Sequence, residues 1–175
     1  MIESDISKFK TIMRYNFMEP RLKYVRIAPD GYKALLNLDD YVRSSSLEPS
    51  LLELIKIRAS QINGCAYCID MHTKDARAAG ETEQRIYALN AWRETLFFSE
   101  RERAALAWTE TVTNVSSTHV PDETYHLVRQ QFIEKELVDL TLAISVINAW
   151  NRMAISFRSI PGQYQPKSRL AREAV

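Results

Sequence analysis

Apolar residues recur at three- and four-residue spacings along most of this chain, the period of helices that bury one face. Ile6, Phe9, Ile12 and Met13 predict a short amphipathic helix. The stretch from Pro20 to Pro29 reads as an irregular connection. Tyr24, Val25 and Ile27 there admit an extended segment but supply too little β signal for a sheet. Pro29-Asp30 opens a helix through Tyr32, Leu35, Leu36, Leu38 and Val42, which Ser44-Ser45-Ser46 ends. Pro49 suits the first turn of the next helix, which runs to about Ile62 with Leu51, Leu54 and Ile57 spread over a broad buried arc. After Asn63-Gly64, a strong breaker, another helix follows and stops at Gly80. Thr82 can cap a helix through Ile86 and Leu89, and Trp92, Leu96, Phe97 and Phe98 form a concentrated apolar segment, core or subunit contact. Ser99 to Glu102 matches a capping box for a helix through Ala104, Leu106, Ala107, Trp108 and Val112. Asn114 to His119 reads as a polar loop, and Pro121-Asp122-Glu123 begins a helix through Tyr125, Leu127 and Val128. The last long helix, about Glu134 to Phe157, is apolar around most of its circumference, so it lies at the centre of a bundle or is sealed by an oligomer. The tail from Ser159, with Pro161, Gly162 and Pro166, reads as irregular.

Composition narrows this picture. Four glycines and six prolines in 175 residues favour helices over a turn-rich β fold. The 46% hydrophobic and 26% charged content is that of a soluble globular chain, and one domain over 1–175 is expected, with its core at about 49–158 and an irregular tail over 159–175. A formal charge of +1 gives no electrostatic case for nucleic acid or an anionic membrane. No apolar run reaches transmembrane length, and the acidic N-terminus lacks the apolar core of a secretory signal. The two cysteines form one C-x-x-C pair, which suits a reducing, cytoplasmic compartment better than an extracellular disulfide framework.

The chemistry gathers between Glu53 and Gly80. On a helix, Cys65, Cys68 and His72 fall within an arc of about 60°. Cys65 would begin the helix after Gly64, where free N–H groups and the helix dipole favour a thiolate. Glu53 would lie about 28 Å from His72 if the chain ran straight, but a reversal at Asn63-Gly64 sets them on opposing helices. A carboxylate facing an imidazole could then move protons to and from a thiol. The plainer alternatives are that the thiols are core residues, that Glu53 pairs with Lys56, and that His72 is a satisfied core histidine. His119 and His126 read as surface residues. Asn148 and Asn151, three apart in the last helix, are expected to bind backbone or fix packing, with contact to the cysteines as the alternative.

Glu53, then Ser60 to Cys68, then Asp70-Met71-His72 and Ala76 to Gly80, resembles the AhpD-like alkylhydroperoxidase group of the carboxymuconolactone decarboxylase superfamily. The Glu-x11-Cys-x-x-Cys-x-x-x-His spacing is the specific part, and a weaker likeness runs from about Pro49 to Arg158. The resemblance implies an all-α AhpD-like bundle, about seven to eight helices here, in a homo-oligomer, a trimer or hexamer. It implies a thiol-dependent peroxidase with Cys68 as the attacking thiol, Cys65 as the resolving thiol, and Glu53 and His72 as proton relay. Tyr67, Ser60 and Asn63 are candidate supporting residues. Tyr67 departs from the family, whose AhpD enzymes carry histidine between the cysteines; a phenol is a weak base at neutral pH but a fair hydrogen-bond donor. The implied partners are a peroxide and a dithiol reductant or lipoyl-type carrier protein.

No cofactor and no metal are expected. Covalent haem needs histidine directly after the C-x-x-C, where Ile69 stands, and structural zinc usually takes four ligands, of which Cys65, Cys68 and His72 are three, with Glu53 a conceivable fourth. Two other functions fit less well: a non-enzymatic redox-sensing or binding module that uses the disulfide as a switch, and decarboxylase or lactone chemistry, which has no need of paired thiols.

Overall fold

A computed structural model describes residues 19–166. Among them lie nine α-helices and one 3-10 helix. The helices are α1 (Tyr24–Ile27), α2 (Pro29–Arg43), α3 (Pro49–Asn63), α4 (Ala66–Ala78), α5 (Glu83–Ala88), α6 (Glu100–Thr113), α7 (Val115–Thr118), α8 (Asp122–Arg129) and α9 (Glu134–Phe157); the 3-10 segment is Leu89–Glu94. Two are single turns, so the longer helices number seven, and the all-α AhpD-like architecture expected from the sequence is the one observed. The helix expected around Ile6 to Met13 lies outside the described residues. No helix among the described residues is long and apolar enough to cross a membrane.

The local signals act as their chemistry requires. Pro29 and Pro49 occupy the starts of α2 and α3, where a missing N–H costs nothing. Thr82 caps α5, and Ser99 and Glu102 form a complete capping box on α6. α3 ends on Gly64 at φ 68°, a left-handed conformation that a side chain would strain. That residue reverses the chain and lays α4 against α3.

Three expectations need correction. Tyr24–Ile27 is a helical turn, not an extended segment: the Ala28 N–H donates to the Tyr24 carbonyl, and the Tyr24 ring packs on Phe157 and Tyr32. The polar stretch after Asn114 is the helical turn α7, not loop, and it closes with His119 and Val120 both at positive φ. The helix expected to run through Leu89 stops at Ala88 and tightens into the 3-10 segment, which kinks at Ala91. The apolar run after it, expected at the core or a subunit contact, needs no such correction: Trp92 and Phe98 are buried in the core and Leu96 is 98% exposed.

The helix enclosed on every side is α3. Each residue from Leu51 to Ile57 is buried, Lys56 included, and α4, α6 and α9 pack around it. α9 contacts α2, α3, α4, α6 and α8, yet it leaves Val138 and Ile155 exposed. One apolar cluster joins α2, α3, α6, α8 and α9; a second joins α3, α4, α5, the 3-10 segment and α6. The third and smallest contains Ala59, Cys65, Cys68, Ile147 and Ala154.

Candidate active site

Cys65 is the N-cap of α4, one position before the helix, with an extended backbone. Its sulfur accepts the Cys68 N–H at 3.4 Å, so it does the work that a serine or aspartate oxygen does at other helix starts. The Cys65 N–H is itself held by the Ser60 carbonyl at 2.9 Å. Both cysteines are free thiols with 1% exposure. Tyr67 and Trp150 are the partly exposed rings packed against their cluster.

The two sulfurs share a hydrogen bond, and it divides them. Hydrogen bonding from Cys68, thiol and N–H, lowers the Cys65 thiol to about 7, against the opposing effect of burial, with help from the Asn151 side chain and the Tyr67 backbone. The same shared bond, together with burial and the neighbouring negative charge, pushes Cys68 up. These effects favour the charged form at Cys65 over Cys68.

Farther along the α3–α4 hairpin, His72 Nδ1 meets Glu53 Oε2 at 2.8 Å, both residues buried. The reversal at Gly64 thus brings together the acid and imidazole expected to face one another. Burial raises the Glu53 carboxyl, but the hydrogen bond and charge of His72, with the charges of Lys56 and Arg43, outweigh it and hold the group below the usual carboxylate range. Lys56 is not Glu53's direct partner: its ammonium pairs with Asp39 at 3.1 Å, while Arg43 reaches Glu53 at 3.9 Å. His72 stands one helical turn beyond Cys68 on the same face of α4.

The supporting residues separate. Ser60 and Asn63 join a buried amide network: Asn63 Nδ2 donates to Asn148 Oδ1 at 3.0 Å and to Asn151 Oδ1 at 2.8 Å, and Asn151 Nδ2 donates to Ser60 Oγ at 3.0 Å. Tyr67 is half-buried, and its phenol is raised by burial and by the nearby Tyr24, Cys68 and Tyr32. His119 and His126 contribute nothing to this cluster.

Asp75 is the residue that sequence reasoning missed. It is buried on α4, and a ligand atom from each of Glu53, His72 and Asp75 lies within 4.8 Å of the others. Its spacing from Cys68 and His72 on the helix was the available signal. These oxygens are already engaged, Glu53 by His72 and Arg43 and Asp75 by the Tyr164 hydroxyl at 2.9 and 3.0 Å. A cation there would compete with all of them, and the trio differs from the thiol-bearing set weighed for zinc.

The uncharacterized protein YdfG of Bacillus subtilis is 52% identical over 139 residues, 79% of this chain and 95% of that one. The model of the carboxymuconolactone decarboxylase family matches residues 29–111. The chain belongs to the carboxymuconolactone decarboxylase family. Within this family it is an AhpD-like member: ATU0492 of Agrobacterium tumefaciens, a protein of unknown function likened to the antioxidant defence protein AhpD, is 43% identical with a TM-score of 0.81, over 83% of this chain and 100% of that one. The debrominase Bmp8 shares the fold alone, at 21% identity and a TM-score of 0.70 over 77% of this chain and 73% of that one. The matched span of the carboxymuconolactone decarboxylase family takes in α2, α3, α4 and most of α6, and so holds Glu53, both cysteines and His72.

Proposed function

We propose that the chain is a thiol-dependent peroxidase. The observation that carries this is the pairing of two hydrogen-bonded thiols, one of them poised to ionise near neutral pH, with a buried Glu53–His72 pair on the same helical hairpin. The ionised sulfur attacks the peroxide's terminal oxygen. An S–O bond forms, the O–O bond breaks, and the leaving alkoxide takes a proton delivered through His72. The second sulfur, giving up its own proton, then displaces hydroxide: an S–S bond forms, the S–O bond breaks, and the hydroxide is protonated to water. Two thiols have been oxidised and one peroxide reduced to an alcohol and water. An external dithiol, such as a lipoyl-type carrier, must reopen the disulfide.

Resemblance implies that Cys68 attacks first. The electrostatics favour Cys65, which accepts two donations from Cys68 while Cys68 retains its proton. Tyr67 and Trp150, both partly exposed, pack against the cluster that holds the pair. A homo-oligomer in a cytoplasmic setting belongs to the same reading; exposed Leu96, Tyr87 and Val138 support a subunit contact.

A panel of peroxides and dithiol reductants on the purified protein tests the reading, with the double Cys65→Ser, Cys68→Ser variant as control. Catalytic peroxide consumption is expected from the parent and only background from the variant. Stoichiometric oxidation without cycling would instead indicate a redox switch. Turnover of a lactone or a halogenated pyrrole without peroxide turnover would move the chain toward its decarboxylase relatives or toward the chemistry of the debrominase.

A further inference from the structure

The thiol pair lies within a small apolar cluster, with the buried amide of Asn151 on the helix that packs against it. α9 presents Ile147, Asn151 and Ala154 along one face, and Ile147 and Ala154 belong to the same cluster as Cys65, Cys68 and Ala59. Asn151, between them, is fully buried. Its carboxamide bears on both sulfurs and favours the charged form of each.

The orientation of that carboxamide is fixed by its partners. Ser60 Oγ donates its proton to the Lys56 carbonyl at 2.7 Å, so toward Asn151 it can only accept. Asn63 Nδ2 donates to Asn151 Oδ1, which occupies the oxygen. The Asn151 NH2 group is thereby turned to Ser60, whose own carbonyl holds the Cys65 N–H. Asn63 is anchored in turn through Asn148, whose Nδ2 donates to Thr113 Oγ1 at 3.1 Å and to the Ile144 carbonyl at 2.9 Å, and whose oxygen accepts from Arg152 at 3.0 Å.

We propose that Asn151, oriented by Asn63 and Ser60, stabilises the thiolate of the pair, and that the α4 N-cap then assigns this charge to Cys65. The inference rests on the thiol pair being the reacting group. A negative charge in an apolar pocket is costly unless donors meet it. A neutral amide meets it without offering a proton that would quench it, as a lysine or histidinium can. Asn151 helps both sulfurs; Cys65 alone also accepts the Cys68 N–H and thiol. Asn151 is thus a thiolate-stabilising residue and Asn63 a positioning residue. The ionisable groups around the pair are its own two thiols and Tyr67, with Tyr24 and Tyr32 beyond the phenol and His72 a turn farther on α4. From the packed helices, Glu53 of α3 is engaged by His72, Lys56 of α3 by Asp39, and Arg152 of α9 by Asn148.

The test titrates the full-length reduced protein, carrying isotopically labelled cysteine, by NMR at each cysteine Cβ, a readout that needs no reagent to enter the pocket. In the parent, Cys65 is expected to titrate near neutral pH and Cys68 not to. Asn151→Leu should raise the Cys65 midpoint by about one pH unit, leaving about tenfold less thiolate below it. Asn63→Ala, at the half-buried end of α3, should move it the same way by less. An unchanged midpoint in folded Asn151→Leu, or Cys68 titrating first in the parent, overturns the proposal. Should Asn151→Leu fail to fold, Asn63→Ala decides: a raised midpoint supports the assignment and an unmoved one overturns it. Because peroxide turnover is measured separately, a shifted midpoint without turnover would sink the peroxidase reading while leaving this one standing.

Discussion

The two ends of the α3–α4 hairpin solve the same problem by opposite means. Near the turn, the neutral dipoles of Ser60, Asn63, Asn148 and Asn151 form one hydrogen-bonded network, which reaches the thiol pair through Asn151. About two turns away, the buried Glu53, His72 and Lys56 join the half-buried Asp39 and the exposed Arg43 in an ionic cluster. The regions meet where Ser60 donates to the Lys56 carbonyl. The lesson is one of division. Groups that hold a charge in place need not exchange protons, whereas groups that pass protons must be able to change charge. Under the proposed function, keeping them apart would let a thiolate persist beside an acid–base pair.

The severest way to break the comparison is to remove a sulfur. Cys65→Ser or Cys68→Ser should each reduce peroxide turnover to the background rate in a coupled reductant assay, since neither thiol alone can close the cycle. Next is Glu53→Gln, which keeps the shape but ends proton exchange through His72; a loss of about 10²-fold in kcat is expected from stopped-flow kinetics. Third is pH. Activity should climb as pH rises through about 7, where Cys65 ionises, and fall about tenfold per unit well below it.

The stability of the two ends should also differ. The folded Glu53 and Asp39 carboxyls lie below their unfolded values of 4.5 and 3.8: burial opposes this, but His72 for the one and Lys56 for the other prevail. Their stabilisation is therefore complete above those unfolded values and is lost as pH falls through the folded ones. Urea unfolding across that acid range should show a slope that Glu53→Gln and Asp39→Asn flatten and Asn63→Ala leaves alone. The smallest effect is expected from Tyr164→Phe, which removes one hydroxyl from Asp75 and should cost about 1 kcal/mol.

What could be read in advance was local. Pro49, the Asn63-Gly64 break and Gly80 delimit two helices, and once the break is read as a reversal, Glu53 must come near His72. Pro121 and the apolar run from Leu137 to Ile155 set the later helices equally well, because in each case the deciding interaction lies within a few residues. The rest depended on distant partners. Asn151 bonds to Ser60 across 91 positions, and a buried amide announces only that it needs a partner, not which one. Lys56 reads as a surface residue and is 1% exposed because Asp39, on another helix, comes to meet it. The turn Tyr24–Ile27 follows from the rings of Tyr32 and Phe157, which no propensity within its four residues encodes.

Cys65 has a second occupation as the acceptor that finishes the beginning of α4. A sulfur tied into a disulfide carries no negative charge and accepts hydrogen bonds weakly. Under the proposed cycle, oxidation to the disulfide would therefore unfasten the first turn of the helix. Amide-exchange protection at Cys68 should fall in the oxidised protein and return on reduction, giving a reductase a loosened backbone at the bond it has to reach.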